Sequence, residues 1–268
     1  MKRRSLVLSG GSALGLAHLG VVKYIIEKDI IINEVVGTSM GAIIAALYAT
    51  DSLSKEIEDE VSSLSKWLSY NFLSSNFIET NKIEKLLIKA LGNKTFNDVG
   101  IELKIVATCV QTGESVCFSK DNNCLVKDAV LASMTIPGVF PVKNIQSKGY
   151  IDGFVSENLP ISYSNGEIIF AVDVMSENSL TDIKKHTIFF RKTRLALAVY
   201  ERAIKMLIIN QTKHLIEKKK QEDVLVYHLK PNLKGYKNFD FSKKDEIERR
   251  GYVYIKSFFE TEYLIGMD

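Results

Sequence analysis

Apolar runs alternate with helical patterns over the first two thirds of the chain. Four of these runs are rich in β-branched residues, as buried strands are: RSLVLS (4–9), NEVVG (33–37), ELKIVATCV (102–110) and EIIFAVDVM (167–175). A helical pattern follows the first run through about Lys28, and MGAIIAALYAT (40–50) is rich in good helix formers. Strands that are apolar on both faces and alternate with helices predict an α/β fold, with a mostly parallel central sheet flanked by helices on both faces.

Helical spacing in the rest of the chain adds elements to this sheet. It predicts further helices over 54–69, over 82–91, from Leu195 to about Lys219, and from Lys244 onward. Gly251 weakens the last of these helices, because glycine is a poor helix former. No linker divides the chain, so we expect residues 1–268 to form a single domain.

One aromatic-rich segment, WLSYNFLSSNF (67–77), lacks clear periodicity and lies between two predicted helices. Aromatic side chains suit a membrane interface, so Trp67, Tyr70, Phe72 and Phe77 are candidates for a cover over a site or for contact with lipid. Packing in the core is the competing interpretation of the same residues.

Composition and charge are typical of a globular protein that works in water. Of the 268 residues, 46% are apolar and 25% are charged, and the net charge of +3 is too small to indicate nucleic-acid binding. Apolar stretches such as IIAALYA (43–49) are far shorter than the ~20 residues that span a bilayer. The basic N-terminus precedes an apolar run of only three residues, which is no signal peptide. We therefore expect a cytoplasmic protein, with peripheral attraction of its lysine runs to anionic lipid as a secondary possibility.

The cysteines indicate neither a disulfide framework nor a metal site. Cys109, Cys117 and Cys124 are odd in number, include no C-x-x-C pair and have apolar neighbours. We expect no metal and no cofactor.

The pentapeptide GTSMG (37–41) has the pattern G-x-S-x-G between a predicted strand and a predicted helix. In a nucleophile elbow of this pattern, serine occupies a tight turn and the flanking glycines let strand and helix approach closely. Backbone N–H groups at the start of the helix favour negative charge beside the serine. Ser39 is therefore a candidate nucleophile, and a plain strand–turn–helix connection is the alternative.

A glycine-rich loop, SGGSALG (9–15), also links a predicted strand to a helix. Such a loop exposes backbone N–H groups that bind a phosphate or stabilise an oxyanion. The dinucleotide fingerprint fails at Ser12, and the P-loop pattern fails at Leu16 and Ala17. Beside a candidate nucleophile, an oxyanion loop is the simplest interpretation, with close helix–strand packing as the alternative.

A candidate general base lies in YIDGFVSENLP (150–160). Asp152 follows a short apolar strand and precedes a glycine, so its carboxylate can lie at a strand end near Ser39. An Asp-Gly pair is also common in ordinary turns.

Together, the glycine loop, the elbow and the Asp-Gly pair resemble the patatin-like phospholipase family, in which they occur in this order. ASMTIPGVFPV (132–142) and NLPI (158–161) resemble the segments that flank the family's aspartate, and the likeness is clearest over residues 4–175. It implies a three-layer α/β/α domain in which Ser39 is the nucleophile and Asp152 the general base. It also implies an oxyanion hole made by the backbone of Gly10, Gly11 and Ser12, and motif glycines at Gly15, Gly37, Gly41 and Gly153.

The same resemblance implies a function. The implied function is that of a lipid acyl hydrolase, which cleaves ester bonds of phospholipids, lysophospholipids or related lipids through an acyl-enzyme. Peripheral contact with a membrane is compatible with this function. The chemistry requires Asp152 in an apolar pocket, because a carboxyl with a pKa near ~3.9 is a poor base at neutral pH.

Three residues depart from the family pattern. Ser12 stands where the family usually has a third glycine, Leu14 where it often has Arg or Lys, and Phe154 where a small residue follows Asp-Gly. None of them removes a reacting group, although the loss of the basic residue leaves the headgroup preference open.

Two other functions fit parts of the sequence. An α/β-hydrolase has a triad in the chain order Ser, Asp, His, and His186, His214 and His228 all follow Asp152. None of the three lies in a loop-like setting, and His18 is better interpreted as a structural hydrogen-bonding residue. A non-catalytic lipid-binding protein on the same fold is the second alternative.

Overall fold

The computed structural model describes residues 2–72, 81–177 and 191–263, and for 64–72, 191–198 and 262 it describes the backbone alone. Eight strands form one sheet: β1 Arg4–Leu8, β2 Glu34–Thr38, β3 Glu102–Cys109, β4 Ser115–Phe118, β5 Lys143–Ile145, β6 Lys148–Asp152, β7 Ile168–Val172 and β8 Leu225–Leu229. The four strands predicted from apolar runs are confirmed as β1, β2, β3 and β7.

The sheet is parallel through its centre and antiparallel at one side. Its order is β5-β6-β3-β2-β1-β7-β8, and β4 pairs with β3. The pairs β1–β2, β1–β7, β2–β3 and β7–β8 are parallel, whereas β3–β4, β3–β6 and β5–β6 are antiparallel. The carboxyl ends of the five parallel strands therefore meet at one edge of the sheet.

Eight helices accompany the sheet in the described part of the chain: α1 Ala17–Glu27, α2 Met40–Ala49, α3 Lys55–Phe72, α4 Asn81–Leu91, α5 Val126–Ser133, α6 Phe154–Glu157, α7 Arg191–Lys219 and α8 Lys244–Ser257. A 3₁₀ turn over Ser12–Leu16 precedes α1. No helix in these described ranges is long and apolar enough to cross a membrane.

Alternate strand residues bury opposite faces of the sheet. Val7, Val36, Val106 and Ile169 belong to one apolar cluster, which Ile216 of α7 completes. Their neighbours along the strands belong to a second, larger cluster with side chains of α1, α2 and α8, among them Leu6, Val35, Ile105, Phe170 and Ile44. Helices thus cover both faces, and the predicted three-layer arrangement is confirmed.

Gly251 lies inside α8, where the sequence alone predicted a weakened helix. A Cβ atom at Gly251 would collide with the backbone of Ala17 in α1, and one at Gly20 would collide with the backbone of Glu248 in α8. The two helices therefore cross with their backbones in contact. The close packing requires glycine and offsets its low helix propensity.

Only the first part of the aromatic-rich segment 67–77 lies within the described residues. Helix α3 continues to Phe72, three residues past its predicted end. The side chains of Trp67, Tyr70 and Phe72, and all of Phe77, lie outside the described residues, so the expected aromatic cover stays a prediction.

Candidate active site

Strands β2 and β6 both pair with β3, and their ends bring Ser39 and Asp152 together. Thr38 at the end of β2 pairs with Val106, and Asp152 at the end of β6 pairs with the next residue, Ala107. Strand β4 pairs with both Val106 and Ala107, so it occupies the other edge of β3. The ends of β2 and β6 must then share one edge of β3, which places Ser39 beside Asp152.

Ser39 occupies a strained turn between β2 and α2. Its φ of 56° and ψ of −123° lie in a region that residues with a side chain rarely adopt. Added Cβ atoms at Gly37 and Gly41 would collide with the backbone of Gly41 and of Leu8, respectively. Both glycines are therefore needed for the close approach of strand and helix, as the elbow pattern predicts.

The Ser39 hydroxyl donates a hydrogen bond of 2.6 Å to Oδ2 of Asp152. Oδ1 of the same carboxylate accepts the backbone N–H of Phe154 at 3.0 Å. Asp152 is fully buried, and burial raises the pKa of its carboxyl to about 7, against smaller opposing effects of the Phe154 N–H and the Ser39 hydroxyl. The burial that the chemistry requires is thus present, and a carboxyl with a raised pKa can accept a proton near neutral pH.

Ser133 connects the elbow to the sheet, and sequence reasoning did not single it out. Its Oγ accepts the backbone N–H of Ser39 at 2.8 Å and donates to the carbonyl of Val106 at 2.5 Å. The backbone carbonyls of Thr135 and Ser133 accept the N–H groups of Asp152 and Gly153, at 2.8 and 3.3 Å. The segment 132–142, matched by resemblance alone, thus contains the groups that position both halves of the pair.

The glycine loop lies against Ser39, with one change to the expected donors. A Cβ at Gly10 would lie 3.2 Å from Cβ of Ser39. The N–H of Gly10, however, donates to the carbonyl of Asn158 at 2.9 Å, and the oxyanion hole of Gly10, Gly11 and Ser12 stays a prediction. Within the described residues, the N–H groups of Gly11 and Ser12 have no such acceptor.

Ser12 adopts the backbone conformation that the family's usual glycine would favour. Its φ is 50°, in the left-handed region. Its Oγ is buried and has no hydrogen-bond partner among the described residues. Serine therefore replaces the family's glycine at this position at some conformational cost, and the backbone N–H of Ser12 is retained.

The remaining motif residues pack the site. Cβ atoms at Gly15 and Gly153 would collide with Met40 and with the Val106 backbone, respectively. Leu14 is completely buried, so it belongs to the core rather than to a surface that meets a headgroup.

None of the described histidines contacts the Ser39–Asp152 pair. His18 is buried and donates from Nε2 to the carbonyl of Ser9 at 2.9 Å, and burial lowers its pKa to about 4. His228 contacts Asp173 at 3.1 Å, and His214 lies exposed on α7. His186 lies outside the described residues.

The described ranges contain no group of three or more His, Cys, Asp or Glu side chains that could hold a metal ion. The groups that the structure brings together are the Ser39 hydroxyl and the buried carboxylate of Asp152.

Comparison with known proteins adds independent findings. Residues 6–164 match the family model described as patatin-like phospholipase. The chain is 26% identical over 278 residues to "Lysophospholipase nte1" of Aspergillus fumigatus, and 25% identical over 282 residues to "Lysophospholipase NTE1" of Coccidioides immitis. These alignments cover 95% and 97% of this chain but only 18% of each relative, so the chain spans about a fifth of their length.

A solved structure shows the same fold. VipD from Legionella pneumophila superposes with a TM-score of 0.51 at 14% sequence identity, covering 97% of this chain and 67% of that one.

Proposed function

The chain belongs to the patatin-like phospholipase family, and from that premise we propose that it is a serine acyl hydrolase acting on the ester bonds of lysophospholipids or related lipids. The observation that carries the proposal is the 2.6 Å hydrogen bond from the Ser39 hydroxyl to the buried carboxylate of Asp152. A serine hydroxyl is a weak nucleophile unless a base within hydrogen-bond reach accepts its proton.

Acylation uses both members of the pair. Ser39 Oγ attacks the acyl carbonyl carbon while its proton moves to Oδ2 of Asp152. The tetrahedral intermediate collapses as the bond to the alcohol oxygen breaks, and Asp152 returns the proton to that oxygen. The products of this step are a free alcohol, such as the glycerol-linked headgroup portion, and an acyl ester on Ser39.

Deacylation repeats the same transfers with water. Asp152 accepts a proton from a water molecule as the water oxygen attacks the acyl-enzyme, and the collapse returns that proton to Ser39 Oγ. The fatty acid leaves and the serine is restored. A carboxyl whose pKa is about 7 is suited to both roles, since it accepts and gives up a proton near neutral pH.

The oxyanion of each tetrahedral intermediate needs donors that are already in position. The N–H groups of Gly11 and Ser12 fit this role, because neither is engaged within the described residues and both lie in the loop that packs on Ser39. The start of α2 directly after Ser39 adds positive electrostatic potential. Each such donor is worth ~3–4 kcal/mol in a comparable hole.

The geometry favours a dyad over a triad. In a triad, histidine lies between serine and the acid, whereas here the Ser39 hydroxyl reaches Asp152 directly. The other carboxylate oxygen is taken by the N–H of Phe154.

The substrate class rests on the family and on the names of the relatives. Both fungal relatives are named lysophospholipases, and the chain aligns with about a fifth of each. We therefore include lipid acyl esters, with one or two acyl chains, and peripheral contact with a lipid surface in the proposal.

The test compares the purified wild-type chain with Ser39→Ala and Asp152→Asn on lysophospholipid, diacyl phospholipid, monoacylglycerol and a short chromogenic ester. Ser39→Ala should fall to background on all four substrates, and Asp152→Asn should lose about 10²–10⁴-fold in kcat. Ser62→Ala is a matched control, because this hydroxyl donates to the carbonyl of Glu58 within its own helix, α3. A wild-type chain that binds lipid without releasing fatty acid would instead favour the non-catalytic alternative.

A further inference from the structure

Helix α7 is much longer than the part of the sheet that it accompanies. Its 29 residues correspond to ~43 Å at the helical rise, whereas the five-residue strands β7 and β8 that it connects span only ~17 Å. A helix of this length must extend past one edge of the sheet.

Contacts of the second half of α7 show which edge that is. The side chain of Gln211 donates to the carbonyl of Ser156, four residues after Asp152, and Lys213 pairs with Glu177 beyond the end of β7. Both contacts lie at the edge of the sheet where the parallel strands end beside Ser39 and Asp152, which we call the catalytic edge. The chain then runs down to β8, which begins at the opposite edge, where Leu225 pairs with Ile168. Residues 191–207, here called the α7 overhang, therefore lie past the catalytic edge, on the side of Ser39.

The overhang is held against the protein by one of its sides. Within the overhang, Ile204 packs against the larger apolar cluster, in which Ile208 of the next turn is buried, whereas Ile216 belongs to the cluster on the other face of the sheet. The helix thus passes over the edge of the sheet, and its outward side is presented in a fixed orientation.

That outward side is apolar. Tyr200 and Leu207 are each 65% exposed, and Val199 and Met206 are about half exposed. The pairs 199/206 and 200/207 are each seven residues apart, so all four side chains lie along one stripe of the helix. Four large apolar side chains grouped in this way are more than the scattered exposure of a typical surface.

The overhang also carries an excess of basic residues. Residues 191–207 contain five Lys or Arg and one Glu, a net charge of +4, whereas the whole chain carries only +3. A helix that combines an exposed apolar stripe with excess positive charge has the two features that bind the interface of an anionic bilayer. A second copy of the chain would bring an equal positive charge to the same stripe, which disfavours self-association there.

We propose that the α7 overhang docks on an anionic lipid surface through Val199, Tyr200, Met206 and Leu207, and so holds the catalytic edge against the bilayer. The inference adds a named partner surface to the proposed function, on which it rests for the identity of the substrate. Docking itself requires only the exposed apolar stripe and the positive charge of the overhang.

The binding test uses Ser39→Ala protein, so that the vesicles stay intact. We would measure its sedimentation with phosphatidylcholine vesicles that contain or lack phosphatidylserine, with and without Tyr200→Ser/Leu207→Ser. The matched control is Ile31→Ser/Val253→Ser, because these side chains are 52% and 54% exposed and lie outside the overhang. We expect binding to the anionic vesicles that weakens with added salt and falls about tenfold or more in the overhang variant alone.

The same substitutions are then made in active protein that retains Ser39, and the rate of hydrolysis of a soluble short-chain ester is measured. The overhang variant should keep the wild-type rate there and lose activity only on vesicles. Equal vesicle binding by the overhang and control variants would overturn docking, as would a dimer in solution that Tyr200→Ser/Leu207→Ser abolishes. Vesicle binding by a wild-type chain that hydrolyses no ester would leave docking supported and the proposed function refuted.

Discussion

Ser39 and Asp152 are 113 positions apart, yet the hydroxyl of one donates a hydrogen bond of 2.6 Å to the carboxylate of the other. The contact follows from the sheet, because β2 and β6 end against each other along the same edge of β3. Backbone pairing on the buried strand β3 therefore fixes the positions of the two residues relative to each other.

The first prediction concerns the pH dependence of the reaction. Only the ionised form of Asp152 can accept the Ser39 proton, and burial places its pKa at about 7. On a soluble chromogenic ester, kcat/KM should therefore fall below about pH 7, tenfold for each pH unit, and level off above it. A profile that stays flat down to about pH 4, the ordinary range of a carboxyl, would contradict the proposed base.

The same raised pKa predicts a link between pH and stability. Protonated Asp152 is favoured in the folded protein, so its contribution to stability is complete below the ordinary pKa of 3.8 and is lost as the pH rises through about 7. Asp152→Asn has no charge to bury, so relative to wild type it should gain free energy of unfolding over this range, by up to about 4 kcal/mol at pH 8.

Chemical denaturation of both proteins between pH 4 and pH 8 measures this difference. Other titrating groups contribute equally to the two curves and cancel in the comparison. Parallel curves would show that Asp152 is ionised at the same pH whether the chain is folded or not.

The histidines should be dispensable for chemistry. A serine–carboxylate pair has no imidazolium to stabilise, so His186→Gln, His214→Gln and His228→Gln should each keep kcat within several-fold of wild type. His18→Gln removes a buried hydrogen bond to Ser9 and should act through folding. Steady-state kinetics with circular dichroism separates these effects. If a variant of His186, His214 or His228 folded normally and were as inactive as Ser39→Ala, the dyad would be contradicted and a triad would be favoured.

Ser133 should act as a positioning residue. Ser133→Ala leaves the N–H of Ser39 and the carbonyl of Val106 without their shared partner, which should cost about 1–3 kcal/mol of stability. The strained elbow should then hold Ser39 less firmly, so kcat should fall about tenfold while KM changes little. The control is again Ser62→Ala. Lower stability with an unchanged kcat would restrict Ser133 to a structural role.

Much of the fold and the tight turn at Ser39 could be predicted from the sequence because their signals are local. The elbow needs glycines on either side of Ser39, and the strands β1, β2, β3 and β7 are continuous apolar runs. Short or half-exposed strands carry no such signal, and β4 and β5 are accordingly not predicted.

Contacts between segments that are distant in sequence could not be predicted. The N–H of Gly10 is used by the carbonyl of Asn158, and that contact depends on how the segment after Asp152 returns to the loop. Ser133 and the glycine-to-backbone contact between α1 and α8 are likewise set by tertiary packing. A single domain over residues 1–268 stays a prediction.

The most direct test of the central claim is to trap the acyl-enzyme. Wild-type protein would be mixed with a long-chain ester, quenched in acid within the first turnover, and digested for peptide mass mapping. The account predicts a mass increase of one acyl group on Ser39, absent from Ser39→Ala, which should also have no turnover. An acyl group on another residue, or hydrolysis by Ser39→Ala at the wild-type rate, would contradict the account.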